Sequence, residues 1–346
     1  MQLCTLTYTH TRIFFTLIRH LSSLIMDNVS NVISFVLSGF NETMTFRVPL
    51  FSCTFLYYCL ILFFNISLVL LIVLDANLHE PMYILLSSSC INALYGTTGF
   101  YPKFLSDLLL SSQTISYEGC LLQAFIMYSF ASCDLSILAV MAFDRYLAIC
   151  RPLHYHSFMT KRRLSQLVSF SWLTPLCIFT INVLLTSRIK LCGINIQRVL
   201  CLNWVIVKLA CPEADTLSNN ISAYVIVVFY LSHWLFIIWT YIYLIKTCAR
   251  SSDDRVKFTQ TCVPHLISLI IFLTVMAFDS MYLRFGSRDL PQSLQNFITI
   301  EFLIIPPVMN PLIYGFKLTK IRDRILRHLI QKHLDKQLSK ANIYLV

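Results

Sequence analysis

Apolar residues run along this chain in long blocks rather than in the alternating or single-face patterns of soluble strands and helices. Seven blocks approach the roughly 20 residues a helix needs to cross a hydrocarbon layer about 30 Å thick: 50–74, 82–106, 119–147, 164–186, 219–247, 262–284 and 293–315. The predicted fold is therefore an all-α membrane protein, a bundle of seven transmembrane helices. The first and fifth blocks are almost free of charge. The second, third, sixth and seventh carry a few polar groups, which must face the bundle interior or a wet cavity.

Orientation follows from the Lys and Arg residues near the span ends, because short cytoplasmic loops hold the excess. Arg151, Lys161, Arg162 and Arg163 follow the third block, Arg250, Arg255 and Lys257 follow the fifth, and a basic run from Lys317 to Lys340 follows the seventh. These place the N-terminus outside and the C-terminus inside. Three regions result: an extracellular segment 1–49, a spanning domain 50–315 and a cytoplasmic tail 316–346. In the tail, Leu318, Ile321, Ile325, Leu329 and Ile330 recur at helical spacing among basic residues, which predicts an amphipathic helix on the inner membrane surface. A solvated basic tail is the other reading.

The first 25 residues fit this plan poorly. Ile13 to Ile25 is too short to span, is interrupted by Arg19 and His20, and lacks a clear small-residue cleavage site. Met26 is the expected working start. Asn28 and Asn41 then stand as glycosylation acceptors in a short external segment, with Asn220 as a third acceptor at the outer mouth of the fifth span.

Composition narrows the class further. Of 346 residues, 57% are hydrophobic and only 13% charged, with a mean hydropathy of +0.68, far more apolar than a soluble domain. The net charge of +10 belongs to membrane orientation rather than to nucleic acid, because the basic residues form no single patch with interleaved aromatics. Neither a phosphate loop, a metal-spaced His/Cys set nor a supported Ser-His-Asp grouping is present, so an enzyme is not expected.

The strongest motif is Met-Ala-Phe-Asp-Arg-Tyr-Leu-Ala-Ile-Cys-Arg-Pro-Leu-His-Tyr, residues 141–155, at the inner end of the third span. Asp144 beside Arg145 at a membrane interface is a neutralised ion pair whose release frees a guanidinium for a partner; alone, such a pair is more often a helix anchor. Asn65 and Leu78-His-Glu-Pro-Met-Tyr83 precede it, and Trp172, Lys257-Phe-Thr-Gln-Thr-Cys-Val-Pro-His265 and Pro307-Val-Met-Asn-Pro-Leu-Ile-Tyr314 follow. In the last run Pro311 removes a backbone donor and kinks the helix, and Asn310 is placed to satisfy the freed carbonyls. Together, from residue 30 to 325, these motifs resemble the olfactory receptors, a rhodopsin-like (class A) family of G-protein-coupled receptors. Phe272-Leu-Thr, Phe100-Tyr-Pro-Lys103 and Glu301-Phe-Leu-Ile-Ile-Pro-Pro307 are more similar to its fish branch.

The resemblance implies a plasma-membrane receptor that binds a small-molecule odorant and activates a heterotrimeric G protein of the stimulatory olfactory type, raising cyclic AMP, with membrane lipid as its surroundings and no nucleic-acid partner. It implies disulfides Cys120–Cys201 and Cys192–Cys211, the second within the long loop between the fourth and fifth spans. It assigns coupling and activation to Asp144, Arg145, Tyr146, Tyr241, Asn310, Pro311 and Tyr314. A ligand is expected between the outer halves of spans three, five, six and seven. Met127, Tyr128, Ala131 and Ser132 share one helix face by their spacing, opposite Phe229, Leu273, Met276, Ser280 and Leu303; each has plain helix packing as its other reading. Asp279 and Glu301 are intramembrane acids, read as a wet-vestibule residue and a structural hydrogen-bonder.

No cofactor is expected, apart from a structural sodium ion. Asp134, near the bilayer centre, needs a partner or a proton. The resemblance implies a sodium site of Asp134 with Asn65, Asn92 and Asn310, but Ala93 replaces the acid that the family often carries in the second span; a protonated Asp134 that donates a hydrogen bond is the alternative. Two other functions stay open: a rhodopsin-like receptor for an amine or peptide, though no acid lies one or two turns below Cys120, and a transporter or ligand-gated channel, though no half-to-half repeat is visible.

Overall fold

The structure, a computed structural model, describes residues 34–40, 46–110, 113–248 and 292–317, together with 263, 266–267, 269–270, 272–274, Arg322 and Arg324. Residues 1–33 with Asn28, Asn41, most of the sixth span with Met276, Asp279 and Ser280, and most of the expected inner-surface helix lie outside the described residues.

Six span helices are described. The first is Arg47–Leu74, the second Pro81–Leu109, the third Tyr117–Cys150, the fourth Lys161–Thr186, the fifth Leu217–Cys248 and the seventh Gln292–Lys317. Those of the first, third, fourth and fifth spans are long and apolar enough throughout to cross a membrane. The ends follow local chemistry. Pro81 opens the second-span helix at a position whose N–H would be unpaired anyway. Ser116 caps the third-span helix by accepting from Gly119 N at 3.1 Å. Thr160 caps the fourth by accepting from Arg163 N at 3.4 Å.

The third-span helix is buried along almost its entire length, while the first and fifth expose Leu, Ile, Val and aromatic side chains on their outward faces, as lipid-facing helices do. Close approach of the second and third helices depends on Gly96: a Cβ there would stand 2.3 Å from the Phe130 ring. Side chains then tie the helices across the dry interior. Asn92 Nδ2 donates to Phe130 O at 3.0 Å, the Tyr95 hydroxyl pairs with Ser129 Oγ at 2.8 Å, and Trp172 Nε1 donates to Ser88 Oγ at 2.9 Å.

The seventh-span helix runs unbroken through Pro306, Pro307 and Pro311. Each proline removes the N–H that would bond the carbonyl four residues earlier. For Pro311 that carbonyl is Pro307 O, which accepts instead from Asn65 Nδ2 of the first span at 2.8 Å. For Pro307 it is Leu303 O, which accepts from the Tyr101 hydroxyl of the second span at 3.3 Å. The expected donor, Asn310, is buried, but the side chain that satisfies the carbonyl freed by Pro311 comes from another helix.

Three short strands cap the extracellular end, a feature not read from the sequence. β1 (Ser34–Leu37) lies between β2 (Thr114–Ser116) and β3 (Asn195–Ile196). It pairs antiparallel with β2, Phe35 opposite Ile115, and parallel with β3, Leu37 opposite Ile196. The Ser-Phe-Val-Leu alternation, with Phe35 and Leu37 inward and Ser34 and Val36 outward, is the signal that could have found it.

If Asn65 satisfies a carbonyl that would otherwise be orphaned in a dry interior, Asn65→Ala should destabilise the purified receptor by about 1–3 kcal/mol. The lipid-facing neighbour Ile66→Ala should change it little. Thermal unfolding of the two variants side by side measures this, and indistinguishable midpoints would refute the account.

Candidate functional site

The third-span helix carries polar chemistry at three depths. At its outer end Cys120 is bonded to Cys201, and Cys192 to Cys211, so the long loop is pinned over the bundle mouth. One turn below Cys120, the buried Gln123 accepts from Cys201 N at 2.8 Å and donates to Gly99 O of the second span at 3.1 Å. It thereby joins loop, second and third helices at one point. A cleft of about 380 Å³ opens beside it, lined by Thr98, Lys103, Thr114, Leu122 and Ile126 among others, on the side of the third helix that faces the second.

Below this lie the residues read as a ligand face, and the structure divides them. Met127 belongs to the outer apolar core together with Leu303, Phe302 and Leu200; a Cβ on Gly99 would meet its Cε at 2.9 Å, so it lies against the second helix. Tyr128 stacks on Phe179 of the fourth helix, with ring centroids 5.5 Å apart. Ala131 joins the inner core. Ser132 meets the fifth helix through Tyr230, its Oγ 2.7 Å from the Tyr230 hydroxyl. Phe229, the fifth-span residue read from the sequence, lies half-buried against His233 with ring centroids 4.3 Å apart. Leu273 packs on the inner core. Tyr230 and His233, the latter 3.2 Å from Ser136 Oγ, escaped sequence reading because a lone Tyr or His in an apolar block carries no periodic signal. Glu301 is half-buried on the seventh-span helix.

At mid-depth Asp134 is buried. Its Oδ1 accepts from Ser89 Oγ at 3.1 Å. Asp134 Oδ2, Asn65 Oδ1 and Asn92 Oδ1 are buried without a hydrogen-bond partner. Among the described residues no group of three or more His, Cys, Asp or Glu side chains is placed to hold a metal.

At the inner end Asp144 is fully buried. Arg145 pairs with it, Nε donating to Oδ2 at 3.0 Å, while the Tyr155 hydroxyl donates to Oδ1 at 2.8 Å. Tyr155 stands on a short helix, Pro152–Phe158, in the following inner loop. Burial, and then the adjacent Asp144 carboxylate, push its hydroxyl above the usual phenol range, so it stays a donor. Tyr146 packs against Trp239 and Tyr243 of the fifth helix, with centroids at 5.4 and 6.2 Å, and Tyr241 is buried in the same inner core. Asn310 and Pro311 are buried in the seventh helix, which also carries Tyr314. Asn220 is half-buried in the first turns of the fifth.

Residues 53–332 match the family model described as olfactory receptor. The human olfactory receptor 6N1 is 33% identical over 309 residues, covering 87% of this chain and 96% of its own length. The human olfactory receptor 2G6 is 34% identical, covering 84% and 92%, and the mouse olfactory receptor 6E1 is 30% identical, covering 90% and 98%. A matched region that runs through every described span, over a third helix with a held Asp-Arg pair at its inner end and a disulfide at its outer end, makes this chain a member of the olfactory receptor family: a multi-pass plasma-membrane receptor that acts through G proteins and is not an enzyme.

Proposed function

We propose that this receptor takes its odorant in the outer half of the bundle, around Met127, Tyr128, Ala131, Ser132, Phe229, Leu273, Met276, Ser280 and Leu303, and that occupancy releases the inner end to a stimulatory G protein. The observation that carries the reading is the double hold on Asp144. Arg145 and Tyr155 both donate to this one buried carboxylate. A ligand that binds better to the state in which this hold is broken shifts the population toward it. The freed guanidinium and the inner-loop helix bearing Tyr155 are then available to the partner. Ser132 and Tyr230 supply a polar handle in a mostly apolar lining.

Asp134 supports a second element of the reading. Its unpartnered oxygen, with those of Asn65 and Asn92, provides oxygen-only donors that suit a hard cation, so these residues would hold a sodium ion, which when bound neutralises the carboxylate in the resting state. A proton on Asp134 answers the same orphan oxygen, and the two differ in their response to sodium.

Tyr155→Phe removes one of two donors to a buried carboxylate, a bond worth about 1.5–3 kcal/mol. Basal cyclic AMP per surface receptor should therefore rise severalfold or more. Arg145→Ala should bind an agonist found in an odorant panel but fail to raise cyclic AMP. An Arg145→Ala protein that signals normally at the surface would contradict the inner-end assignment. For Asp134, sodium should lower basal signalling of the wild type and leave Asp134→Asn unaffected. Equal sodium responses in the two proteins would sink the ion site in favour of the protonated acid.

A further inference from the structure

The short strand β1 is not a loose leader lying on the surface. Its Phe35 and Leu37 are 0% and 1% exposed and belong to the same apolar core as Met127, Leu303 and Cys201. The Phe35 ring lies 6.0 Å from that of Tyr117 in the first turn of the third-span helix. The strand is held from both sides: Val36 N donates to Ile194 O and Leu37 N to Gln113 O, each at 2.9 Å. Beyond it, Ser38 Oγ donates to Ile196 O at 3.2 Å. Gly39 is pressed on the loop backbone so closely that a Cβ would stand 2.4 Å from Arg198 C and 2.6 Å from Val199 N. Its carbonyl accepts from Asn296 Nδ2, at the outer end of the seventh-span helix, at 2.6 Å. The segment therefore closes over the mouth, touching the outer loops and the seventh helix at once.

We infer that β1 is the roof of the odorant cavity, with Phe35 and Leu37 as lining residues that set the size of ligand admitted from the aqueous side. This rests on the outer-half pocket proposed above. The helices around the pocket are long and mutually packed, whereas β1 is a four-residue strand paired over three residues on one edge and two on the other. So short a sheet is marginal on its own, and elements with few contacts open at lower free energy than the core. The Asn296 bond and the fit of Gly39 add to the ladder bonds and the buried Phe35 and Leu37 in keeping it seated. Phe35 and Leu37 share one apolar core with Met127, so a water-borne molecule that reaches Met127 past the outer loops would meet them, and lifting so short a strand would clear that way.

The test reads access directly, and only its last arm needs an odorant, taken from a ligand panel. Full-length receptor carrying Met127→Cys is treated at the cell surface with a membrane-impermeant trimethylammonium methanethiosulfonate, and the labelling rate is compared with that of receptor lacking the substitution. Adding Asn296→Ala should speed labelling by roughly fivefold, the change expected from losing one ordinary hydrogen bond. Phe35→Ala should speed it as well, and serves where Asn296→Ala fails to reach the surface. Val36→Ala, which trims an outward-facing side chain, should leave the rate unchanged. Surface-expressed Asn296→Ala and Phe35→Ala receptors, with Cys120–Cys201 intact, that label no faster than Met127→Cys alone would overturn the roof. Faster labelling joined to odorant responses that Met127→Cys modification leaves untouched would keep the roof over the cavity and overturn the placement of the odorant at Met127.

Discussion

A membrane interior offers no water to a backbone carbonyl that has lost its partner, and the rest of this bundle is arranged around that constraint in the seventh span. Pro307 and Pro311 each delete an N–H from the helix. The carbonyls they leave, Leu303 O and Pro307 O, are met by Tyr101 from the second span and Asn65 from the first. Tyr57 of the first span adds a third side-chain link to the seventh helix, its hydroxyl donating to Ile304 O at 2.8 Å, a carbonyl that no proline frees. The seventh helix can thus carry three prolines and still pack, but only where the first and second helices stand. Helix position is fixed by hydrogen-bond accounting as much as by apolar packing, which in lipid supplies no hydrophobic driving force between helices.

The same economy explains why the third helix is the most buried. Several of the polar links between it and a neighbour use a small side chain or a backbone carbonyl on its own side: Phe130 O with Asn92, Ser129 with Tyr95, Ser132 with Tyr230, Ser136 with His233. Serines at i, i+3 and i+7 of one helix let neighbouring aromatics approach and close a bond without leaving a void. Outside this row the helix is lined by large apolar side chains in two cores, an outer one around Phe125 and Phe130 and an inner one around Leu135 and Met141. The two adjoin on this helix at Phe130 and Ala131.

Much of this was legible in the sequence because it is periodic or consecutive. Span helices announce themselves by length and apolarity, and the described helix ends lie within about three residues of the expected ones, since Pro81, Ser116 and Thr160 mark them locally. The held Asp144–Arg145 pair was legible for the same reason, its parts being adjacent. What pairs across helices was not. Asn310 is next to Pro311 in the chain and was the natural donor for the freed carbonyl, yet Asn65, more than 240 positions away, fills it. Tyr155 stands in the quoted inner motif, but only the fold turns its hydroxyl onto Asp144. Phe35 and Leu37 form a two-residue alternation too short to outweigh the reading of residues 1–49 as a plain external segment.

These links also bear on how far an outer ligand can act. The bonds that join the third helix to the fifth are between neutral groups, each worth about 0.5–1.5 kcal/mol net, and can be exchanged at small cost. The Asp144 hold is charge-assisted on both sides, so breaking it costs more than any one of them. A ligand that merely loosened Ser132–Tyr230 could not by itself supply that difference. It must also favour the partner-bound state through its contacts with the outer core, because a ligand shifts an equilibrium only by its differential affinity for the two states. In the proposed scheme the inner lock would set a threshold: weakly discriminating molecules would occupy the pocket without opening the inner face, and the partner's own binding at that face would contribute the remainder.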